Sequence, residues 1–168
     1  MMEKEIEILN NIIKTHNQFS NDSELWKTVS SVLNVSSDEA KKLDNEYCNV
    51  ISFYALCFAV GYITISFNEF LTVEINSGDI RRDGFIKIGK DKLLRKYGID
   101  FSLEYFDTMK NLEDGFYQMK IKSGKGWHFI ACYCIDGNLY VSCTGKRGIG
   151  VPASAVIGKE FQWLLRIA

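Results

Sequence analysis

The stretch Tyr47-Cys48-Asn49-Val50-Ile51-Ser52-Phe53-Tyr54-Ala55-Leu56-Cys57-Phe58-Ala59-Val60 carries no charge and is apolar on nearly every side of a helix. A helix of that kind has no face suited to water. It belongs in the middle of a domain, and the rest of the chain must supply its cover. Asp44-Asn45 offers a cap, so the helix is expected from about Glu46 to Gly61. The apolar run from Val50 to Ile65 includes Ser52, Gly61 and Thr64 and has no basic flanks. It reads as a buried helix, not a membrane span.

The segments before it can provide cover. Ile6, Leu9, Ile12, Ile13 and Phe19 recur at helical spacing among charged residues, which predicts an amphipathic helix within residues 3–19. Leu25, Trp26, Val29, Val32 and Leu33 mark a second helix, and Ser36-Ser37-Asp38-Glu39 starts a short third one by capping-box logic. After a mixed segment, 63–75, and a turn-rich stretch, 76–84, Leu93, Leu94 and Tyr97 form a short helix that stops at Gly98. Its Lys90, Lys92, Arg95 and Lys96 read as a solvated basic face.

The period then changes to two. Strands are expected at Ser102–Phe106, Phe116–Ile121, Phe129–Ile135 and Leu139–Cys143, with Phe161–Ile167 a closing strand or a helical turn. Asp136-Gly137 is a type I′ turn signal, so Ile135 should pair with Asn138 and Cys132 with Val141. Continued outward, that register sets His128 opposite Gly145. Alternation puts His128, Ile130, Cys132 and Cys134 on one face and Phe129, Ala131, Tyr133 and Ile135 on the other. Both faces are apolar, which predicts an inner strand. Helices first and a mostly antiparallel sheet afterwards is an α+β order. We expect a single domain over 1–168, with residues 1–45 a helical N-terminal cap and 46–168 the core.

The bulk properties limit function. A 46% hydrophobic and 24% charged chain of 168 residues can bury a core and is not disordered. A formal charge of −1 gives no electrostatic footprint for nucleic acid or anionic membrane, so neither is expected as a partner. The opening Met1-Met2-Glu3-Lys4-Glu5 is charged and not leader-like, and the five cysteines are an odd number. Reduced thiols and a cytoplasmic location are the expectation.

Cys48 falls in the first turn of the central helix, where the macrodipole and free N–H groups favour a thiolate. A cysteine nucleophile also needs a base within hydrogen-bond reach. Of the two histidines, His16 lies in the N-terminal amphipathic helix as a surface or packing residue, whereas His128 opens the inner strand after Ser123-Gly124-Lys125-Gly126-Trp127. Trp127 could line a cleft or plug the core. Against catalysis stands the plain alternative that buried cysteines mostly pack, as small apolar side chains.

The segments Tyr47 to Leu56, Gly84-Phe85-Ile86 to Gly98-Ile99, Gly126-Trp127-His128-Phe129-Ile130-Ala131-Cys132-Tyr133 and Asp136-Gly137-Asn138-Leu139-Tyr140-Val141 resemble, in pattern and order, the C39-like cysteine peptidases of the papain-like superfamily. The similarity spans roughly residues 45–157. It implies a papain-like core at 46–168, with the helix packed on the sheet, and thiolate attack on a peptide or amide bond. Cys48 would be the nucleophile and His128 the base, on a peptide or protein, with no metal and no cofactor. Three positions depart from the family. Asn49 follows the cysteine where a glycine is usual. Lys42 stands near the place of the oxyanion-hole glutamine, with Asn45 the nearest amide. Ser142, Cys143 and Thr144 stand where the orienting aspartate belongs. Asn45 and Ser142 are the candidate substitutes. The departures leave a second expectation, a catalytically inactive papain-like fold acting as a binding or interaction module.

Two weaker signals complete the reading. Cys132-x-Cys134 with Cys143 and His128 could supply soft metal ligands, but core-facing strand residues lack the knuckle turns of zinc ribbons. Gly145-Lys146-Arg147-Gly148-Ile149-Gly150 lacks Walker spacing and reads as a turn after a strand.

Overall fold

The computed structural model describes every residue except Met1, Asn21, Asp44 and Asn45. Three helices come first: α1 (Glu3–Thr15), α2 (Glu24–Leu33) and α3 (Ser37–Lys42). Side chains cap two of them. Ser23 accepts from the Leu25 N–H, and Ser36 from the Glu39 N–H. The apolar stretch forms α4 (Tyr47–Ala59), every residue of which is buried except Phe58. The expected Asp44-Asn45 cap lies outside the described residues.

Helix α5 (Phe67–Ser77) occupies the segment expected to be mixed. Ser66 caps it by accepting from the Glu69 N–H, a Ser-x-x-Glu signal that Thr72, Val73 and Ile75 obscure by their strand preference. Helix α6 (Lys90–Arg95) follows, and α7 (Ala153–Val156) is a single turn late in the chain.

The strands are β1 (Tyr105–Phe106), β2 (Gly115–Ser123), β3 (Gly126–Ile135), β4 (Asn138–Ser142), β5 (Ile149–Pro152) and β6 (Phe161–Arg166). They form one open antiparallel sheet in the order β1-β6-β2-β3-β4-β5. The fold is thus α+β, with seven helices and six strands among the described residues. The expected strand at Ser102–Phe106 shrinks to Tyr105–Phe106, which pairs only with the end of β6. The closing segment is a strand. The short edge strand β5 was outside the expectation, since Gly148 before it and Gly150 within it carry turn signals.

The hairpin has the expected register, with Ile135 paired to Asn138 and Cys132 to Val141. Asp136 and Gly137 both take positive φ, 52° and 79°, as a type I′ turn requires. Strand β3 separates two buried clusters. Ala131 and Tyr133 face α4 and the helical layer, while Ile130, Cys132 and Cys134 face a cluster closed by Leu112, Ala153 and Ile157. The N-terminal helices share the first cluster through Leu9, Ile13, Leu25 and Val29. Burying one such side chain contributes about 1.5–3 kcal/mol. No helix among the described residues is long and apolar enough to cross a membrane.

The basic face expected on α6 holds in part: Lys92, Arg95 and Lys96 are exposed, whereas Lys90 is partly buried. Lys96 Nζ lies 2.6 Å from Glu74 Oε1 and 2.5 Å from Asp79 Oδ2, and Tyr97 donates to Glu74 Oε2 at 2.6 Å. The Glu74 side chain is wholly buried, so it requires these partners. Replacing Lys96 with Met leaves that carboxylate without its cation. We expect a loss of about 2 kcal/mol in urea denaturation, below the range for fully buried pairs because Lys96 is partly solvated; a neutral result would show that the pair does not anchor α6.

Candidate functional site

The first turn of α4 is pinned from three directions. Tyr47 donates its hydroxyl to the Arg82 carbonyl and packs edge-on against Trp26. Gly84, at φ 89°, lies so close that a Cβ there would meet the Tyr47 ring and backbone nitrogen at 2.9 Å. From the sheet, fully buried Gln118 brings its Nε2 to within 3.2 Å of the Asn49 carbonyl, 3.1 Å of Asn49 Oδ1 and 2.8 Å of Ser52 Oγ. Ser52 in turn donates to the Cys48 carbonyl at 2.6 Å. Gln118 escaped the sequence reading. Only its place mid-strand among apolar neighbours hints at a buried polar role.

Cys48 sits in this turn, 1% exposed. Burial pushes its thiol up to about 12, while hydrogen bonds from the Phe129 and Asn49 backbones pull it the other way. The sequence argument from the helix macrodipole is thereby corrected. The dipole of one helical turn is smaller than the cost of removing a thiolate from water. Phe129 is the residue after His128, so the head of α4 meets the opening of β3 where the β3–β4 ladder ends.

The ring of His128 is held from the other hairpin strand. Its Nε2 lies 3.2 Å from Cys143 Sγ, and the Gly145 N–H donates to the same sulfur at 3.2 Å. Burial, with a contribution from the Arg147 charge, lowers His128 to about 4. Cys48 senses Cys143 electrostatically, so two thiols and one imidazole gather at this point.

The other candidates are distributed differently. Ser142 is not the orienting group. Its hydroxyl donates to Asn10 Oδ1 at 2.5 Å and accepts from the Gly150 N–H at 3.0 Å, because alternation along β4 turns it away from His128. Asn45 lies outside the described residues. His16 is a packing residue, edge-on to Phe67, with Nδ1 2.7 Å from the Ile12 carbonyl. The suggested metal set is not assembled. Cys132 and Cys134 donate to the Ile130 and Leu112 carbonyls, and no three His, Cys, Asp or Glu side chains converge among the described residues.

Trp127 lines a cleft and does not plug the core. It is 46% exposed and lines a cavity of about 810 Å³ together with His128, Gln18, Phe19 and Trp26. The N-terminal segment is tied there by the Gln18 N–H to the Thr144 carbonyl at 2.8 Å, and by the Trp26 Nε1–H to the Gln18 carbonyl at 3.1 Å. Comparison with family models, with curated proteins and with solved structures returned no match to this chain.

Below Cys48 lies Lys90, counted by sequence with the solvated face. Its Nζ is 5.0 Å from the Phe129 ring centre and 5.7 Å from those of Phe53 and Trp163. Desolvation lowers it to about 7, helped by the Lys120 charge and opposed by Cys57, Cys48 and Glu46. Between about pH 7 and its ordinary 10.5 the unfolded chain holds a proton there that the folded chain has shed, so stability rises with pH across that window. Lys90→Met should raise the melting temperature below pH 7, with a gain that shrinks as pH rises towards 10.5. A gain independent of pH would show an ordinary amine.

The His128 shift can be measured directly. In an NMR titration the His128 ring should protonate at about pH 4, and native stability should fall as pH drops from 6.5 towards 4. A His128 midpoint above 6.5 would mean that the site holds an imidazolium instead.

Proposed function

We propose that this chain is a cysteine peptidase or amidase of the C39-like, papain-like type, with Cys48 as nucleophile and His128 as general base. The observation that carries the reading is the contact between His128 Nε2 and Cys143 Sγ at 3.2 Å, beside the helix head that bears Cys48. Cys143 occupies the neighbourhood in which this family keeps its orienting carboxylate. If Nε2–H donates to that sulfur, Nδ1 is left as the acceptor for the Cys48 proton.

With the thiol held high and the imidazole held low, the resting pair is neutral. His128 therefore takes the proton as Cys48 attacks the carbonyl carbon, and returns it to the leaving amine when that bond breaks. The Cys48 N–H, in the first turn of α4, donates to the developing oxyanion. A thiol sulfur is a weak acceptor, so it fixes the tautomer less firmly than a carboxylate does. The reading thus implies slow turnover in the chain as it stands.

A second reading, an inactive papain-like fold serving as a binding module, is favoured by the 1% exposure of Cys48 and the lack of a carboxylate at position 143. Alkylation by iodoacetamide, with each cysteine followed by mass spectrometry, separates the two. On the enzyme reading Cys48 labels in preference to the other four, and His128→Ala slows it by about tenfold or more. Cys143→Asp should speed Cys48 labelling and peptide hydrolysis by at least about tenfold, since a carboxylate holds the required tautomer. Labelling of Cys143 in place of Cys48, or Cys48 labelling indifferent to His128, would favour the binding module.

A further inference from the structure

Two turns overhang the cleft above His128, and both are basic. The β2–β3 turn contributes Lys125, and the loop after β4 contributes Lys146 and Arg147. Lys125 and Lys146 are exposed, and no ion pair ties any of these three among the described residues. Glu46 is the one carboxylate lining the cavity among the described residues, and Glu160 lies within electrostatic reach of Arg147. Cationic charge is therefore in excess at the mouth, although the whole chain carries −1.

Two aromatic rings steady this charge. Lys146 Nζ lies 5.2 Å from the centre of the Phe19 ring, and Lys120 Nζ lies 4.2 Å from that of Trp127. Both rings are well exposed, at 63% and 46%, and both line the cleft. Each already has an ammonium over one face.

We propose that this cleft binds an acidic peptide segment, with Lys125, Lys146 and Arg147 pairing with carboxylate side chains of the bound chain and Trp127 and Phe19 packing on its apolar atoms. The proposal rests on the hydrolase reading for what happens to that segment, but the binding itself does not. Four features favour a peptide over a nucleic acid. The lining cations, Lys41 on α3 with those of the two turns, cluster at one mouth and not along a stripe that could track phosphates. The chain as a whole is not basic. The exposed rings are faced by lysines and are poorly placed as stacking platforms for bases. The imidazole of His128 lines the cleft, and on the hydrolase reading it works with a thiol on an acyl carbon.

The test measures binding by the full chain carrying Cys48→Ala, so that no turnover intrudes. The probes are a short fluorescein-labelled glutamate–alanine peptide, its lysine–alanine counterpart and a short labelled oligothymidylate, followed by anisotropy at low and at physiological ionic strength. The acidic peptide should bind at least about tenfold more tightly than the basic one and should weaken with salt, because exposed charges are screened beyond about 8 Å at physiological ionic strength. Lys125→Glu/Lys146→Glu changes exposed positions, and thermal melting shows whether its fold is intact; it should remove that preference. Equal binding of the two peptides, or a preference that survives the double reversal in a folded variant, overturns the proposal. Tighter binding of the oligothymidylate overturns it in favour of a nucleic-acid cleft. Because binding is read without the Cys48 thiol, a failed labelling experiment at Cys48 leaves this result standing, and the converse holds as well.

Discussion

Helix α4 can exist only if it is enclosed, and the arrangement of the molecule follows from that requirement. Its flanks are apolar on all sides, so the sheet must cover one side and α1, α2 and α5 the others. Enclosure also settles the chemistry at its first turn. The same burial that makes the helix stable there removes Cys48 from water and raises its thiol. Stability and thiolate formation are opposed at that residue, and the proposed mechanism therefore has His128 take the proton during attack and not beforehand.

The polar groups inside this enclosure are few and specifically placed. Gln118, Asn49 and Ser52 join β2 to the head of α4, and Tyr47 joins it to the loop at Arg82. A buried amide or hydroxyl without partners is costly, so these contacts hold α4 at one rotation and one height on the sheet. That fixes where the Cys48 backbone lies relative to the opening of β3. Glu74, Lys96 and Tyr97 do the same for α6, which carries Lys90 beneath the site. The contact of His128 with Cys143 is of the same kind, since the thiol takes up a ring nitrogen that would otherwise be buried unpaired.

The cleft lies at the open end of the β3–β4 hairpin, beside His128. The N-terminal segment, docked through Gln18 onto Thr144, builds a wall of the cleft as well as covering α4. The two basic turns line the same cleft, and Lys146 lies over the Phe19 ring of that segment. The proposed chemistry below and the proposed recognition above thus use different residues, and one can be altered without the other.

The sequence by itself determined the elements whose signals are local. The charge-free run 47–60 could only be a buried helix, Ser36 announced the start of α3, and Asp136-Gly137 set the hairpin register that pairs Cys132 with Val141. Cys48 and His128 stood out because a helix head and a strand opening are readable from capping and period. Tertiary structure decided the rest. A helix dipole is a local quantity, but desolvation depends on everything packed around a thiol, so only the assembled fold reverses the expected direction at Cys48. The partner of His128, the burial of Lys90 among three rings and the pairing of Lys96 with Glu74 are long-range contacts with no periodic trace in the chain. Ser142 and Cys143 are neighbours in sequence with equal claims on the histidine, and the pleat of β4, which sends successive side chains to opposite faces, gives it to the cysteine.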